Sequence, residues 1–240
     1  MELSIVKSGG EKSADDVVSI YNQRSETYDS NYKKTEHFIE EEIIKDAFEK
    51  RVCHSVFKDS KQGVLSIGCG TGNDITALQL EPDGFLGLDI SYKMLKVARR
   101  NYPNYKFDHC DCSKPLGEGW GEFKKVCALF GVPNYVGLTS LMQTYKDVSA
   151  SGMVAVMYAD DYVPPYLSHI KTPFRKYTVE RIKEELDPLV PMDNEFNITG
   201  LTFKVPDTGS PSMAYQMQAQ LTELNNTKGC KYFILTVSKI

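Results

Sequence analysis

The sequence predicts an α/β protein: a mainly parallel sheet with helices on both faces. Two observations carry this. Between about residues 63 and 160, short apolar runs alternate with segments of helical period, and the first junction, "VLSIGCGTGND" from Val64 to Asp74, sets glycines at every second position. Strands separated by helices need right-handed crossovers, and crossovers on both faces leave strands that read as continuous apolar runs. A chain of 240 residues with 41% hydrophobic and 25% charged content can bury a sizeable core.

The elements follow in order. Residues 1–14 are polar, with Gly9-Gly10, and are expected to fray. From Asp15 a helical pattern runs through Val17, Val18, Tyr21, Tyr28 and Tyr32, with Ser13 or Asp15 available as the cap. Residues 35–56 form a stronger helix, with Phe38, Ile39, Ile43, Ile44, Ala47, Phe48 and Val52 at spacings of three and four, before a polar break at 58–63. Strands are then expected at 64–67, 84–88, 105–107, 125–130 and 153–158, and helices at 74–80, 92–100 and 138–148. Beyond Asp161, Pro164-Pro165 interrupts the rhythm; a helix at 179–186 capped by Thr178, strands near 196–205 and 231–238, and a helix-like run at 213–224 complete the chain.

Composition narrows the function. A net charge of −4 and a pI near 5.7 lack the basic excess that binding along nucleic acid calls for. There is no apolar stretch of membrane-spanning length, and the start "MELSIVKSGGEKSADD" has neither a basic nor an apolar leader segment, so a cytoplasmic protein is expected. The six cysteines suit free, mostly buried thiols, and Cys110 and Cys112 after His109 lack the second ligand pair of a metal site, so no metal is expected.

In an open parallel sheet, ligands sit beyond the carboxyl ends of the strands, where Gly68, Gly70 and Gly72 lie. A nucleoside-triphosphate loop needs a lysine after the last glycine, and here Asn73 and Asp74 follow. A dinucleotide turn needs a further glycine at position 73, and Asp74 places negative charge where a pyrophosphate would go. The turn therefore suits a nucleoside without phosphates. Asp89 ends "FLGLDIS", 21 residues beyond Gly68, where a carboxylate can accept both ribose hydroxyls.

With "VLSIGCGTG", "GLDIS", "MLKVARRNYP" and "FDHCDCSKPL" in this order, the chain resembles the class I S-adenosylmethionine-dependent methyltransferases of the small-molecule type, over about residues 15–160. The resemblance implies a Rossmann-like seven-stranded, mainly parallel sheet with one antiparallel strand near the C-terminus. It also implies one domain over 1–240, made of an N-terminal helical lid at 15–57, a cofactor core at 63–160 and a substrate-side, sheet-completing part at 161–240. The implied cofactor is S-adenosylmethionine. By the same resemblance, Gly68, Cys69, Gly70 and Gly72 line its methionine and ribose, Asp89 takes the ribose hydroxyls, Ile90 flanks the adenine, and Asp111 and Cys112 meet the adenine edge. Phe130 and Gly131 lie beside the sulfonium, and Tyr21 and Tyr28 belong to the lid. Two positions depart from the family. Ser66 stands where an acid is common, a loss for which Asp74 could compensate, and Phe123-Lys124 replaces Phe-Asp before the fourth strand.

Methyl transfer is an in-line displacement in which positioning and desolvation supply much of the catalysis, so no universal catalytic residue exists. The candidates are Tyr28 in the lid, Tyr135 in "GVPNYV", whose Asn134 is a further polar contact, and His169 as a general base in "YADDYVPPYLSH". Asp160, Asp161 and Tyr162 in the same stretch would suit an amine. The expected reaction is transfer to an O or N atom of a small molecule. The alternatives are an RNA or protein acceptor, met by a patch of Lys171, Arg175, Lys176, Arg181 and Lys183, and a non-catalytic cofactor-binding partner subunit, suggested by Ser66. Oligomeric state has no sequence signal.

Overall fold

The computed structural model describes residues 14–32, 35–53, 61–117, 119–162, 175–202, 220–222 and 229–239. Among these, eight strands form one sheet in the order β3-β2-β1-β4-β5-β8-β6-β7. The strands are β1 (Val64–Ile67), β2 (Leu86–Asp89), β3 (Lys106–His109), β4 (Lys125–Ala128), β5 (Gly152–Tyr158), β6 (Asn194–Thr202), β7 (Gln220–Thr222) and β8 (Tyr232–Lys239). β1 to β5 are mutually parallel, and β8 inserts antiparallel between β5 and β6. The seven expected strands are all present, and β8 is the expected antiparallel one. The three residues of β7 form an eighth strand on the edge of β6, where the sequence reads as helix; β-sheet pairing with β6 overrides the local helical pattern there.

The helices are α1 (Ala14–Arg24), α2 (Tyr28–Tyr32), α3 (Thr35–Ala47), α4 (Asn73–Leu78), α5 (Tyr92–Asn101), α6 (Val132–Val136), α7 (Leu138–Asp147) and α8 (Val179–Leu186). The helix expected over 35–56 changes to a π-helical turn at Phe48–Val52, which buries both Phe48 and Val52. The Ser91 hydroxyl caps α5 by accepting from Met94 N at 3.2 Å, and Thr178 caps α8 in the same way through Arg181 N.

All seven residues of β5 are buried, and its alternation divides the core in two. Met153, Ala155 and Met157 join α7 and α8 through Leu141, Met142, Ile182 and Leu186. Val154, Val156 and Tyr158 face the other side, where Phe48, Ile75, Leu78 and Leu95 pack. Chain order runs outward from β1 through β2 to β3, then returns to β4 on the other side of β1. The crevice at this reversal, beyond the carboxyl ends of β1 and β4, is where such sheets bind ligands.

Candidate functional site

The turn after β1 fills that crevice. Gly68, Gly70 and Gly72 take φ of +64°, +55° and +92°, a left-handed path that side-chain-bearing residues seldom follow. A Cβ at Gly68 would strike Val132 and one at Gly72 the ring of Tyr102, whereas one at Gly70 would meet nothing within 4 Å. The turn is thus packed at its two ends and open at its middle, a cradle for a ligand that needs direct backbone approach.

Asp89 locks this cradle to β2. Its Oδ2 accepts from Gly70 N at 2.8 Å and its Oδ1 from Ser91 N at 2.7 Å. Since Ser91 caps α5 itself, the carboxylate is not needed as a cap, and its remaining lone pairs can take a diol. Burial pushes the Asp89 carboxyl up, against the pull of the Ser91 and Gly70 N–H groups and the His109 imidazole. His109 Nε2 lies 3.0 Å from Ile90 O, and its ring stacks on Tyr92 with centroids 3.8 Å apart. The pair thus stands against the carbonyl of half-buried Ile90, the residue that follows Asp89. Asp111, in the turn after β3, accepts from Ser113 N and Oγ and pairs with Lys114 at 2.9 Å. Although desolvation acts to raise it, those Ser113 and Lys114 contacts hold its carboxyl below the usual range. Cys112 is buried in the same turn.

The N-terminal helices lie across the turn. Asn22 Oδ1 accepts from Ser91 Oγ at 2.8 Å and Lys93 N at 3.4 Å. Glu26 pairs with Arg100 at 3.2 Å. The Asp29 carboxylate accepts from Thr71 Oγ1 at 2.5 Å and from the side-chain amides of Asn73 and Asn101 at 3.3 Å. Tyr21 lies 6.2 Å from Tyr28 and meets Tyr135 edge-on at 6.0 Å between centroids, so three sequence-predicted tyrosines come together. Because the Asp29 carboxylate reaches Thr71 in the turn, Asn73 at the start of α4 and Asn101 at the end of α5, Asp29→Ala is expected to loosen the N-terminal helices from the turn. S-adenosylhomocysteine should then bind about tenfold more weakly by calorimetry and α1 amides should exchange faster, as expected from losing charge-assisted hydrogen bonds at a partly exposed site.

Beneath the turn, Ser66 Oγ donates to Asp74 Oδ2 at 2.5 Å, and Cys127 Sγ lies 3.9 Å from the same oxygen. Burial raises the Asp74 carboxyl from 3.8 to about 7, against the stabilising Ser66 hydrogen bond, with the nearby Asp89 charge adding to the rise. The folded protein therefore holds a proton that the unfolded chain has already released between those values. Stability contributed by the neutral acid is complete below about 4 and lost as pH rises toward about 7. Urea unfolding should show stability falling across this window, by at most about 1.4 kcal/mol per pH unit, with Asp74→Asn flattening that part of the slope.

After β4, Phe130 adopts φ +52° and Gly131 φ +83°, and the Tyr158 hydroxyl donates to Phe130 O at 3.2 Å. A side-chain-bearing residue held left-handed next to a left-handed glycine bends the backbone sharply as it leaves β4. Asn134 does not face it. Its side-chain amide donates to Tyr158 O and Arg175 O while its Oδ1 accepts from Tyr158 N at 2.9 Å, so it stitches β5 to the chain before α8. Asp160 and Asp161 sit in an exposed turn. His169 and Lys171 lie outside the described residues. Arg175 donates to Tyr135 O, and Arg181 pairs with Glu185 at 2.8 Å and caps the face of Tyr177.

Sequence reasoning missed the contacts of Asn22 in α1, Glu26 in the turn after it and Asp29 in α2, which the break between the two helices brings to one side, and the His109–Tyr92 stack, which has no local pattern. Among the described residues, no helix is long and apolar enough to cross a membrane.

Comparison with known proteins fits this geometry. Residues 64–152 match the family model of a methyltransferase domain. No curated protein sequence matches the chain. Among solved structures, a magnesium protoporphyrin IX methyltransferase from Synechocystis PCC 6803 with bound S-adenosylhomocysteine superposes with a TM-score of 0.61 at 14% identity, over 95% of this chain and 100% of that one. A methyltransferase from Thermotoga maritima, described as a possible histamine N-methyltransferase, gives 0.59 at 12% identity over 93% and 99%. One from Anabaena variabilis gives 0.58 at 14% identity over the whole of both chains. At such identities the likeness is one of fold. Residues 64–152 thus match a methyltransferase domain, and the sheet around them has the Rossmann-like fold of the class I methyltransferases. S-adenosylmethionine is the methyl donor of that class, and the cradle open at Gly70 beside the Asp89 carboxylate fits it.

Proposed function

We propose that the chain transfers the methyl group of S-adenosylmethionine to an O or N atom of a small molecule. When bound, the donor supplies a methyl carbon already activated by its sulfonium. The residues of this chain then have three tasks: Gly68, Cys69, Gly70 and Gly72 take the methionine and ribose along the turn, Asp89 receives the ribose hydroxyls, and Ile90, Asp111 and Cys112 border the adenine. Phe130 lies at the sulfonium end, while Tyr21, Tyr28 and Tyr135 cover the crevice and exclude water. Tyr28 and Tyr135 are the hydroxyls offered to orient an acceptor, and His169 remains the proposed general base. The reading takes 15–57 as lid, 63–160 as cofactor core and 161–240 as the substrate-side part of a single domain.

The observation that carries a small acceptor is the latched lid. Asp29 on Thr71 and Tyr21 on Tyr135 hold the N-terminal helices against the turn, which supports a reaction site covered from that side. An RNA or protein acceptor would call for an open basic face, and two of its required cations, Arg175 and Arg181, are engaged within the fold. The thiols of Cys69, Cys110, Cys112 and Cys127 are not joined in disulfides, which suits a reducing compartment and favours the cytoplasm. The test is formation of S-adenosylhomocysteine by purified protein supplied with S-adenosylmethionine and panels of amines, phenols and carboxylic acids, against RNA and a protein lysate. Turnover with a small-molecule class is the expected result. Turnover confined to RNA or protein overturns the acceptor assignment, and donor binding without turnover on any acceptor supports the non-catalytic partner instead.

A further inference from the structure

We infer that Asp74 is the anionic anchor for the donor in this chain: its carboxylate, seated on the Ser66 hydroxyl beneath the glycine turn, receives the ammonium of the donor's methionine part. The inference rests on the S-adenosylmethionine reading above and deepens it. It also answers why Ser66 stands where the related enzymes commonly place an acid.

The register of the sheet puts the pieces together. Ser66 on β1 and Cys127 on β4 are adjacent partners in the parallel ladder, so their side chains leave the same face. Asp74, in the first turn of α4, comes down onto this pair from above, with Oδ2 2.5 Å from Ser66 Oγ. Serine offers a hydroxyl and no charge, and the carboxylate held on that hydroxyl comes from the following helix. Asp74 is 3% exposed and Asp89, across the turn, 9%.

The electrostatics of this pair ask for a cation. The groups facing Asp74 are the Ser66 hydroxyl from β1, the Cys127 thiol from β4, the Asp89 carboxylate from β2 and the Cys69 thiol from the turn. Among the described residues, no lysine or arginine forms an ion pair with Asp74 or Asp89, and Asp89 is eased only by the Ser91 and Gly70 N–H groups and by His109. Two desolvated carboxylates side by side are costly, and the cost is relieved either by a proton or by a cationic ligand. Methyl donors of this type carry an ammonium and a sulfonium, and the nucleoside end is already assigned to Asp89. A merely structural Asp74 would be served equally well by asparagine, which keeps the Ser66 contact but has no charge to give.

S-adenosylhomocysteine is the probe, because it keeps the ammonium and lacks the sulfonium; 5′-methylthioadenosine, which lacks the amino acid, is the control. Calorimetric titration of the wild-type chain from pH 5.5 to 7 is expected to show S-adenosylhomocysteine affinity rising about tenfold, with about one proton released per ligand in paired phosphate and Tris buffers near pH 6. Methylthioadenosine affinity should stay level. Asp74→Asn, its fold checked by circular dichroism, should bind S-adenosylhomocysteine with the affinity the wild type has at low pH, without pH dependence or proton release. Wild-type binding that is independent of pH, with no proton released, overturns the role of Asp74 and leaves the cofactor reading standing. Failure of the wild type to bind S-adenosylhomocysteine or S-adenosylmethionine overturns both.

Discussion

Asp89→Ala is expected to weaken S-adenosylhomocysteine binding about a hundredfold, close to 3 kcal/mol. Two effects combine. The carboxylate is the acceptor offered to the ribose hydroxyls, and hydrogen bonds to a charged group are worth about 1.5–3 kcal/mol each. It also holds the turn in shape through Gly70 N and Ser91 N, and those two donors lose their partner in the variant. Relief of the desolvated charge offsets part of this in the free protein, so unfolding stability should change less than affinity. Calorimetry and urea unfolding on the same samples separate the two: a large loss of affinity with a small loss of stability supports the ribose role, and equal losses would make Asp89 a structural brace alone.

The second large effect is expected at Gly131. Its φ of +83° already penalises a side chain, and a Cβ there would lie 2.1 Å from Cε2 of Tyr158. That ring is 2% exposed, packs 5.2 Å from Tyr232 and 6.1 Å from Tyr162, and has no room to retreat. Gly131→Ala therefore combines a forbidden dihedral with overpacking, and should lower stability by more than about 3 kcal/mol. Pairing it with Tyr158→Leu, which removes the clash but not the dihedral, should recover part of the loss. Thermal unfolding of the single and double variants gives the measurement; a Gly131→Ala chain as stable as the wild type would mean that the bend after β4 is not held as described.

The central sheet was legible because its strands are buried on both faces. Val64–Ile67 and Lys125–Ala128 are buried throughout, so they appear as mainly apolar runs, interrupted only by Ser66 in the first and opened by Lys125 in the second. The glycine turn and Asp89 were legible for a related reason: close backbone approach and a strand-end carboxylate depend on local order, and local order is what a sequence displays. The edge strand β7 was not, because its pairing with β6 is set by a partner some twenty residues away and not by its own period. Asn134 reads as a polar residue ready for a ligand, but the Tyr158 peptide and the Arg175 carbonyl reach it from distant parts of the chain and consume its hydrogen bonds. The Ser66–Asp74 pair lies between these cases. Both residues belong to one short stretch, yet only the placing of α4 against β1 shows that the two side chains meet.

The most direct measurement is calorimetric titration of the purified chain with S-adenosylmethionine and S-adenosylhomocysteine. Saturable binding of both at one site per chain, in the micromolar range, is the result the cradle at Gly70 and Asp89 predicts. Absence of binding to either would contradict it, and would mean that this turn, for all its geometry, holds something else.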